Sequence, residues 1–260
     1  MSEGPSRNAY AAQVSTKIDI VPATIRNRLL HALPADAFDR LASRLERVSL
    51  TAGTRLQNPN EPTNAAYFVE SGLLSCFAGE NGRDQTEVAL IGREGFSGLS
   101  GLLGAETTPF SVVVQRGGDA CRITIESLRE ACRESVPLLS TLMLYAHAIS
   151  VQIAETGRAN ARQTVEARLA RWLLMAHDRI DGGEIELTHE SLSTILGVRR
   201  PGITVALHVL EGEHMIRARR GAIQVVDRAK LERAAQGSYG MSEREYERVL
   251  GGRSMAQAAG

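Results

Sequence analysis

The side chains with the plainest chemical purpose are arginines: Arg199 and Arg200, then Arg217, Arg219 and Arg220. Arginine stays charged at any physiological pH. Its planar fork of donors matches phosphate oxygens and the guanine edge. Between Arg199 and Arg220 these five residues face only Glu211 and Glu213, a surplus of three positive charges. The whole chain is balanced, with 30 basic and 30 acidic residues. That total argues against a protein that coats nucleic acid indiscriminately. It fits a local footprint.

The elements that position these arginines run from Thr188 to Arg220. Leu192, Ile195 and Leu196 give a first helix one apolar face. Gly197 stands where that helix must stop and turn through a left-handed backbone angle. Pro201 suits the first turn of a second helix, where no N–H donor is needed. Ile203, Leu207 and Leu210 recur at helical spacing, with Thr204 and His208 on another face. Two helices joined by a tight glycine turn make a helix-turn-helix, which lays its second helix in a DNA major groove. Arg217, Arg219 and Arg220 precede Gly221, and Ile223, Val225 and Val226 follow, which predicts a two-strand wing with a basic tip. The candidate DNA contacts are Arg199, Arg200, Thr204, His208, Arg217, Arg219 and Arg220. An ordinary helical hairpin with solvated arginines is the competing reading.

Other chemistries find little support. Cys76, Cys121 and Cys132 are too few and too scattered for a disulfide framework or a CxxC metal site. Reduced thiols in a bacterial-type cytoplasm fit them. His31, His147, His177, His189, His208 and His214 form no pair with ligand spacing. No metal site, cofactor or catalytic residue is predicted, and Ser97 has the wrong spacing for a nucleophile elbow. The start, MSEGPSRNAY, has no apolar signal region. No apolar run of the roughly 18 residues needed to span a bilayer is evident.

At 260 residues the chain has room for two domains. The first stretch, residues 1–22, reads as a flexible arm. Two helical patterns follow, Ile25, Leu29 and Leu30, then Phe38, Leu41 and Leu45, with Asp36 as a cap for the second. From residue 47 the period falls to two. Strands are predicted at Arg47–Leu50, Ala66–Val69, Gly72–Phe77, Thr86–Ile91, Phe110–Gln115 and Ala120–Ile125, separated by turn residues. Short strands at this spacing mean an antiparallel roll, residues 23–135. Inside it lies a glycine string. Gly95, Phe96, Ser97, Gly98, Leu99, Ser100 and Gly101 form a candidate effector loop, since such loops let N–H groups approach an anion. Glycines that merely make tight turns are the alternative.

Ser127 is a candidate cap for a short helix. A long helix follows over residues 136–160, with Leu138, Leu142, Tyr145 and Ile149 as its predicted dimer seam. A second stripe, Leu139, Met143, Ala146 and Ser150, lies beside the first, which predicts two packing partners for the helix, a single broad core-facing face being the alternative. Gly157 marks a hinge. Residues 161–236 form the winged helix, and residues 237–260 a polar tail.

This order of elements resembles the Crp/Fnr family of bacterial transcription regulators from Ile25 to Ala235. The likeness rests on Gly53, Leu56, Tyr67-Phe68-Val69 and Gly72 of the early strands, and on Gly98, Gly101 and Leu102-Leu103 of the loop. In the C-terminal part it rests on Leu192, Ile195, Gly197, Val198, Ile203, Leu207, Leu210 and Glu211. The resemblance implies an α+β protein: an N-terminal cyclic-nucleotide-binding-type roll, a dimer helix and a winged helix-turn-helix. It implies a cytoplasmic, non-enzymatic homodimer acting on double-stranded DNA and RNA polymerase, with an unknown small-molecule effector and no membrane. Two departures stand out. The cassette glutamate of cyclic-nucleotide binders falls on Leu99, and their Arg-Ser pair falls near Pro109 and Phe110. In the recognition helix Pro201 and Val205 replace the family's Glu and second Arg. These departures predict an effector other than cyclic AMP, or none. The rival reading is a ligand-binding roll whose winged helix mediates protein contact.

Overall fold

The computed structural model describes residues 20–79 and 84–252. Most of the predicted arm, the Glu80-Asn81-Gly82 turn and the Ser254 to Gly260 segment lie outside the described residues.

A 3₁₀ turn, Pro22–Thr24, leads into α1 (Arg28–His31) and α2 (Ala35–Ala42). Asn27 caps α1 by accepting from the Leu29 and Leu30 N–H groups. Asp36 does not cap α2. The cap position is Pro34, and Asp36 lies inside the first turn, where its charge still suits the helix N-terminus.

Eight strands follow: β1 (Glu46–Leu50), β2 (Arg55–Gln57), β3 (Ala65–Val69), β4 (Leu73–Ala78), β5 (Thr86–Ile91), β6 (Phe96–Ser97), β7 (Ser111–Arg116) and β8 (Gly118–Thr124). They form two antiparallel sheets, β1-β8-β3-β6 and β2-β7-β4-β5. Val48, Leu50, Tyr67, Val69, Leu74, Ile91, Val112 and Val114 fill the space between them. β2 and β6 escape the sequence period because three and two residues are too few to alternate. Gly72 turns between β3 and β4 at φ 88°, and a Cβ there would strike the Arg116 carbonyl at 2.6 Å.

Beyond the one-turn α3 (Leu99–Leu102) comes α4 (Ile125–Glu134). Its cap is Thr124, not Ser127: the Thr124 hydroxyl accepts from the Ser127 N–H at 3.2 Å. The long helix α5 (Val136–Arg162) starts on a Ser135 cap with Pro137 in its first turn. It runs straight through Gly157, so the predicted hinge moves to Gln163. Glycine costs a helix interior about 1 kcal/mol. Here the flanking turn is held by buried Ala159 and by the Glu155–Arg158 ion pair at 2.7 Å.

The faces of α5 differ from the expected arrangement. Leu138, Leu142 and Tyr145 are buried in the chain's own core with Phe68, Phe96 and Leu128, and Ile149 packs at its edge. The predicted dimer seam is therefore the inward face. Val136, Leu139, Met143 and Ile153 are exposed instead. By length and composition α5 is apolar enough to cross a membrane, contrary to the sequence reading. That composition follows from carrying two apolar faces, one of them packed on the roll.

Next come α6 (Val165–Arg179), β9 (Glu184–Glu186), α7 (His189–Leu196), α8 (Arg200–Gly212), β10 (Ile216–Arg219), β11 (Ala222–Val225) and α9 (Arg228–Ala234). The small sheet runs β10-β11-β9. As far as residue 252 the expected polar tail is folded rather than loose. α10 (Met241–Tyr246) and a π-helical turn (Glu247–Gly251) fold back along α5, burying Tyr246 and Leu250.

Candidate nucleic-acid interface and effector loop

The helix-turn-helix is set by local backbone chemistry. Thr188 caps α7 by accepting from Ser191 N–H at 3.0 Å. Gly197 ends α7 at φ 60°, and Val198 N–H returns to Ser193 O at 3.0 Å. Pro201 sits in the first turn of α8, with Arg199 at its cap position. Ile203, Ala206, Leu207 and Leu210 are buried, which turns Pro201, Val205, His208 and Val209 outward.

Arg199 and Arg200 are exposed at the N-terminal end of α8. They line an open cleft of about 890 Å3 whose other wall includes Arg55 and Gln85 of the roll. His208 is exposed about two turns on. Thr204 is drawn back: its hydroxyl donates to Arg200 O at 3.2 Å and lies 3.2 Å from His189 Nδ1. In the wing, strand alternation buries Ile216 and turns Arg217 and Arg219 to solvent. Arg220 and Gly221 make the tip, with Gly221 at φ 77°. Arg219 lies 3.8 Å from Glu184, an exposed pair worth little that leaves it available. Glu211 had no assigned role in the sequence. It accepts from Ala218 N–H at 2.9 Å and so fixes the wing to α8.

The candidate effector loop is filled by the protein itself. Phe96 is buried, stacked on Phe68 with ring centroids 4.9 Å apart and set against Tyr145 at 5.1 Å. Tyr145 donates to Phe96 O at 3.2 Å. Burial and the nearby Glu94 hold its hydroxyl well above the usual tyrosine range. A Cβ at Gly95 would collide with the Tyr145 ring, and one at Gly101 would meet Ile125 at 2.8 Å. Gly98 takes φ 99°. Ser97 is buried, Ser100 shares a hydrogen bond with Thr63 at 3.2 Å, and Leu99 opens α3. Packing and turn geometry thus account for Gly95, Gly98 and Gly101 without an anion.

Residues 47–135 match the model of the cyclic nucleotide-binding domain, and residues 167–234 match that of the Crp-like helix-turn-helix domain. The chain belongs to the Crp/Fnr family. It is a DNA-binding regulator of transcription. The cyclic AMP receptor protein of Thermus thermophilus is 24% identical over 217 residues, covering 80% of this chain and 97% of that protein. The transcriptional regulator SdrP of the same organism is 28% identical over 202 residues, covering 74% and 95%. FixK2 from Bradyrhizobium japonicum shares the fold with a TM-score of 0.63 at 17% identity, covering 73% of this chain and 96% of that one.

In this Crp/Fnr regulator the roll and the winged helix share one core. Leu73, Phe77 and Leu90 pack with Leu169, Trp172, Leu173 and Leu196. Thr86 donates to Ile195 O at 3.3 Å. At the centre of the joint Glu87 accepts from Trp172 Nε1 at 2.7 Å and from the Ser75 hydroxyl. Burial pushes its carboxyl up to about 7, against the pull of the Ser75 and Trp172 hydrogen bonds and of Arg171 and Arg179. Because the folded value is raised from 4.5, the stability that Glu87 contributes is present below that pH and lost as pH rises through about 7. Glu87→Gln keeps both partners and removes the ionisation. Its melting temperature relative to wild type is expected to rise between pH 5 and pH 8, by an amount on the order of 3 kcal/mol in stability. A difference that does not change with pH, in scanning calorimetry, would contradict this.

Among the described residues no three His, Cys, Asp or Glu side chains converge as a metal site. Cys121 and Cys132 are buried free thiols whose pKa values burial raises to about 12 and about 11.

Proposed function

We propose that this regulator is a cytoplasmic homodimer that recognises a near-palindromic DNA site and acts with RNA polymerase. Its effector is something other than cyclic AMP, or it has none. The observation that carries the reading is the exposure of Arg199 and Arg200 at the start of α8 and of Arg217, Arg219 and Arg220 on the wing that follows it. Arg199, Arg200 and His208 reach base edges; Arg217, Arg219 and Arg220 hold phosphates. Thr204 supports the helix start rather than the bases. The filled loop and Leu99 at the cassette support the exclusion of cyclic AMP, because a cyclic phosphate buried there would lack its cation. The exposed stripe of α5 supports the dimer.

Base and phosphate contacts leave different signatures. Arg200→Ala is expected to relax preference at one position per half-site, since a bidentate arginine on guanine discriminates by about 1–3 kcal/mol. Arg219→Ala is expected to weaken all sequences alike and to lower the salt slope by roughly one per contact. Titration of a selected palindrome against salt, with and without cyclic AMP, separates these outcomes. Both variants matching wild type in preference and slope would remove DNA reading from these residues, and tighter binding with cyclic AMP would overturn its exclusion.

A further inference from the structure

We propose that Val205, supported by Val209, reads the 5-methyl group of thymine, so that each half-site carries a T·A pair beside the position read by Arg200. This rests on the reading of α8 as a DNA-recognition helix. It assigns a role to side chains that carry no charge and no hydrogen-bonding group.

Beyond its arginines, the outward face of α8 carries an apolar ridge beside His208. Val205 is 57% exposed and Val209 44%, and Pro201 shares their face. Positions 201, 205 and 209 succeed one another at four-residue spacing, so they form one ridge along the helix. The buried positions that hold α8 are Ile203, Ala206, Leu207 and Leu210, and neither valine belongs to that set. A β-branched residue is also a weak helix former. Packing and helix propensity therefore give no reason for valine here. The polar side chain at the preceding position is already committed, since the Thr204 hydroxyl donates to Arg200 O.

Val205 stands in the second turn of α8, five residues after Arg200, in the half of a recognition helix that meets base edges. In the major groove the thymine methyl is the one feature that an aliphatic side chain recognises. A buried valine–methyl contact excludes water from both partners. Opposite cytosine or adenine, the same side chain would cover a polar group with nothing to pair with it. The flanking arginines supply the attraction to phosphate that brings an apolar ridge into the groove.

The test uses the full-length protein and a palindrome selected from random DNA. Thymines of the half-site are then replaced singly and symmetrically by deoxyuridine, which removes only the methyl group. For wild type, one thymine position is expected to cost about four-fold in affinity per methyl, hence about fifteen-fold when both half-sites are changed. In Val205→Ala the penalty at that position is expected to fall below about two-fold, while Arg200-dependent discrimination persists. A specific palindrome with no deoxyuridine penalty, or with a penalty that Val205→Ala leaves unchanged, overturns this inference and leaves the DNA-binding function intact. Failure to select any sequence removes the DNA-reading function and this inference with it.

Discussion

Aspartate at both Met143 and Ile153 is expected to convert the protein to a monomer and to weaken palindrome binding by about 10²–10⁴-fold, the loss that follows when two linked contacts become one. These side chains are 49% and 39% exposed on α5. With Val136 at 73% and Leu139 at 39% they make an apolar stripe that the chain leaves uncovered among its described residues. Ser150 and Gly157 continue the stripe with small side chains, and a Cβ at Gly157 would meet nothing within 4 Å. Such a stripe suits the same helix of a second copy. Two aspartates on each strand of the seam would bury charge without partners, which the association cannot offset. Light scattering reads the mass and a DNA titration the affinity. A dimer of unchanged stability in the double variant would remove α5 from the interface. Leu142→Asp distinguishes the two faces. Leu142 is only 1% exposed within the protomer's core, so that change is expected to unfold the roll, seen as lost circular dichroism, rather than to yield a folded monomer.

The second large effect is expected at the C-terminal end. Tyr246→Ala with Leu250→Ala should destabilise the protein by about 3–6 kcal/mol, because both side chains leave cavities and are close enough to couple. Both are buried against the core that contains Leu142 and Tyr145. Arg28 lies over the Tyr246 ring at 4.9 Å from its centroid and pairs with Glu247 at 2.6 Å. His147 on α5 meets Glu245 at 2.6 Å. On the other side Tyr239 donates to Asp178 at 2.5 Å, and Arg171 donates to Ser238 O at 2.9 Å. Arg179 is buried between Glu94, at 2.6 Å, and Glu243. Burial would lower its pKa, yet these two carboxylates raise it, so it stays charged. The segment thus joins α5, α6 and the N-terminal helices. Urea unfolding of the double variant checks the prediction. A midpoint equal to wild type would mean that residues 238–252 are not packed as described.

The sequence alone determined the helix-turn-helix. Its signals are local: the left-handed Gly197, Pro201 in a first turn and apolar residues three and four apart. Each acts within a few residues, so no distant contact is needed to read it. The longer strands were legible for the same reason, since alternation and turn residues are properties of neighbours. What only the tertiary structure decided is which partner each surface meets. Both stripes of α5 are apolar, and periodicity says that two faces exist without saying which lies on the roll. The Tyr145–Phe96 contact answers that, across 49 residues of sequence separation. The glycine string left a ligand loop and plain tight turns both open, and only the fold places Tyr145 and Ile125 in the space that side chains at Gly95 and Gly101 would need. Glu87 looked like any strand glutamate until α6 placed Trp172 on it. Tyr246 and Leu250 are spaced one helical turn apart, but among so many charges only their burial against α5 makes that spacing count. Local chemistry fixes backbone shape residue by residue. Burial depends on what arrives from far along the chain, and it is burial that assigns each apolar face and each titrating group its role.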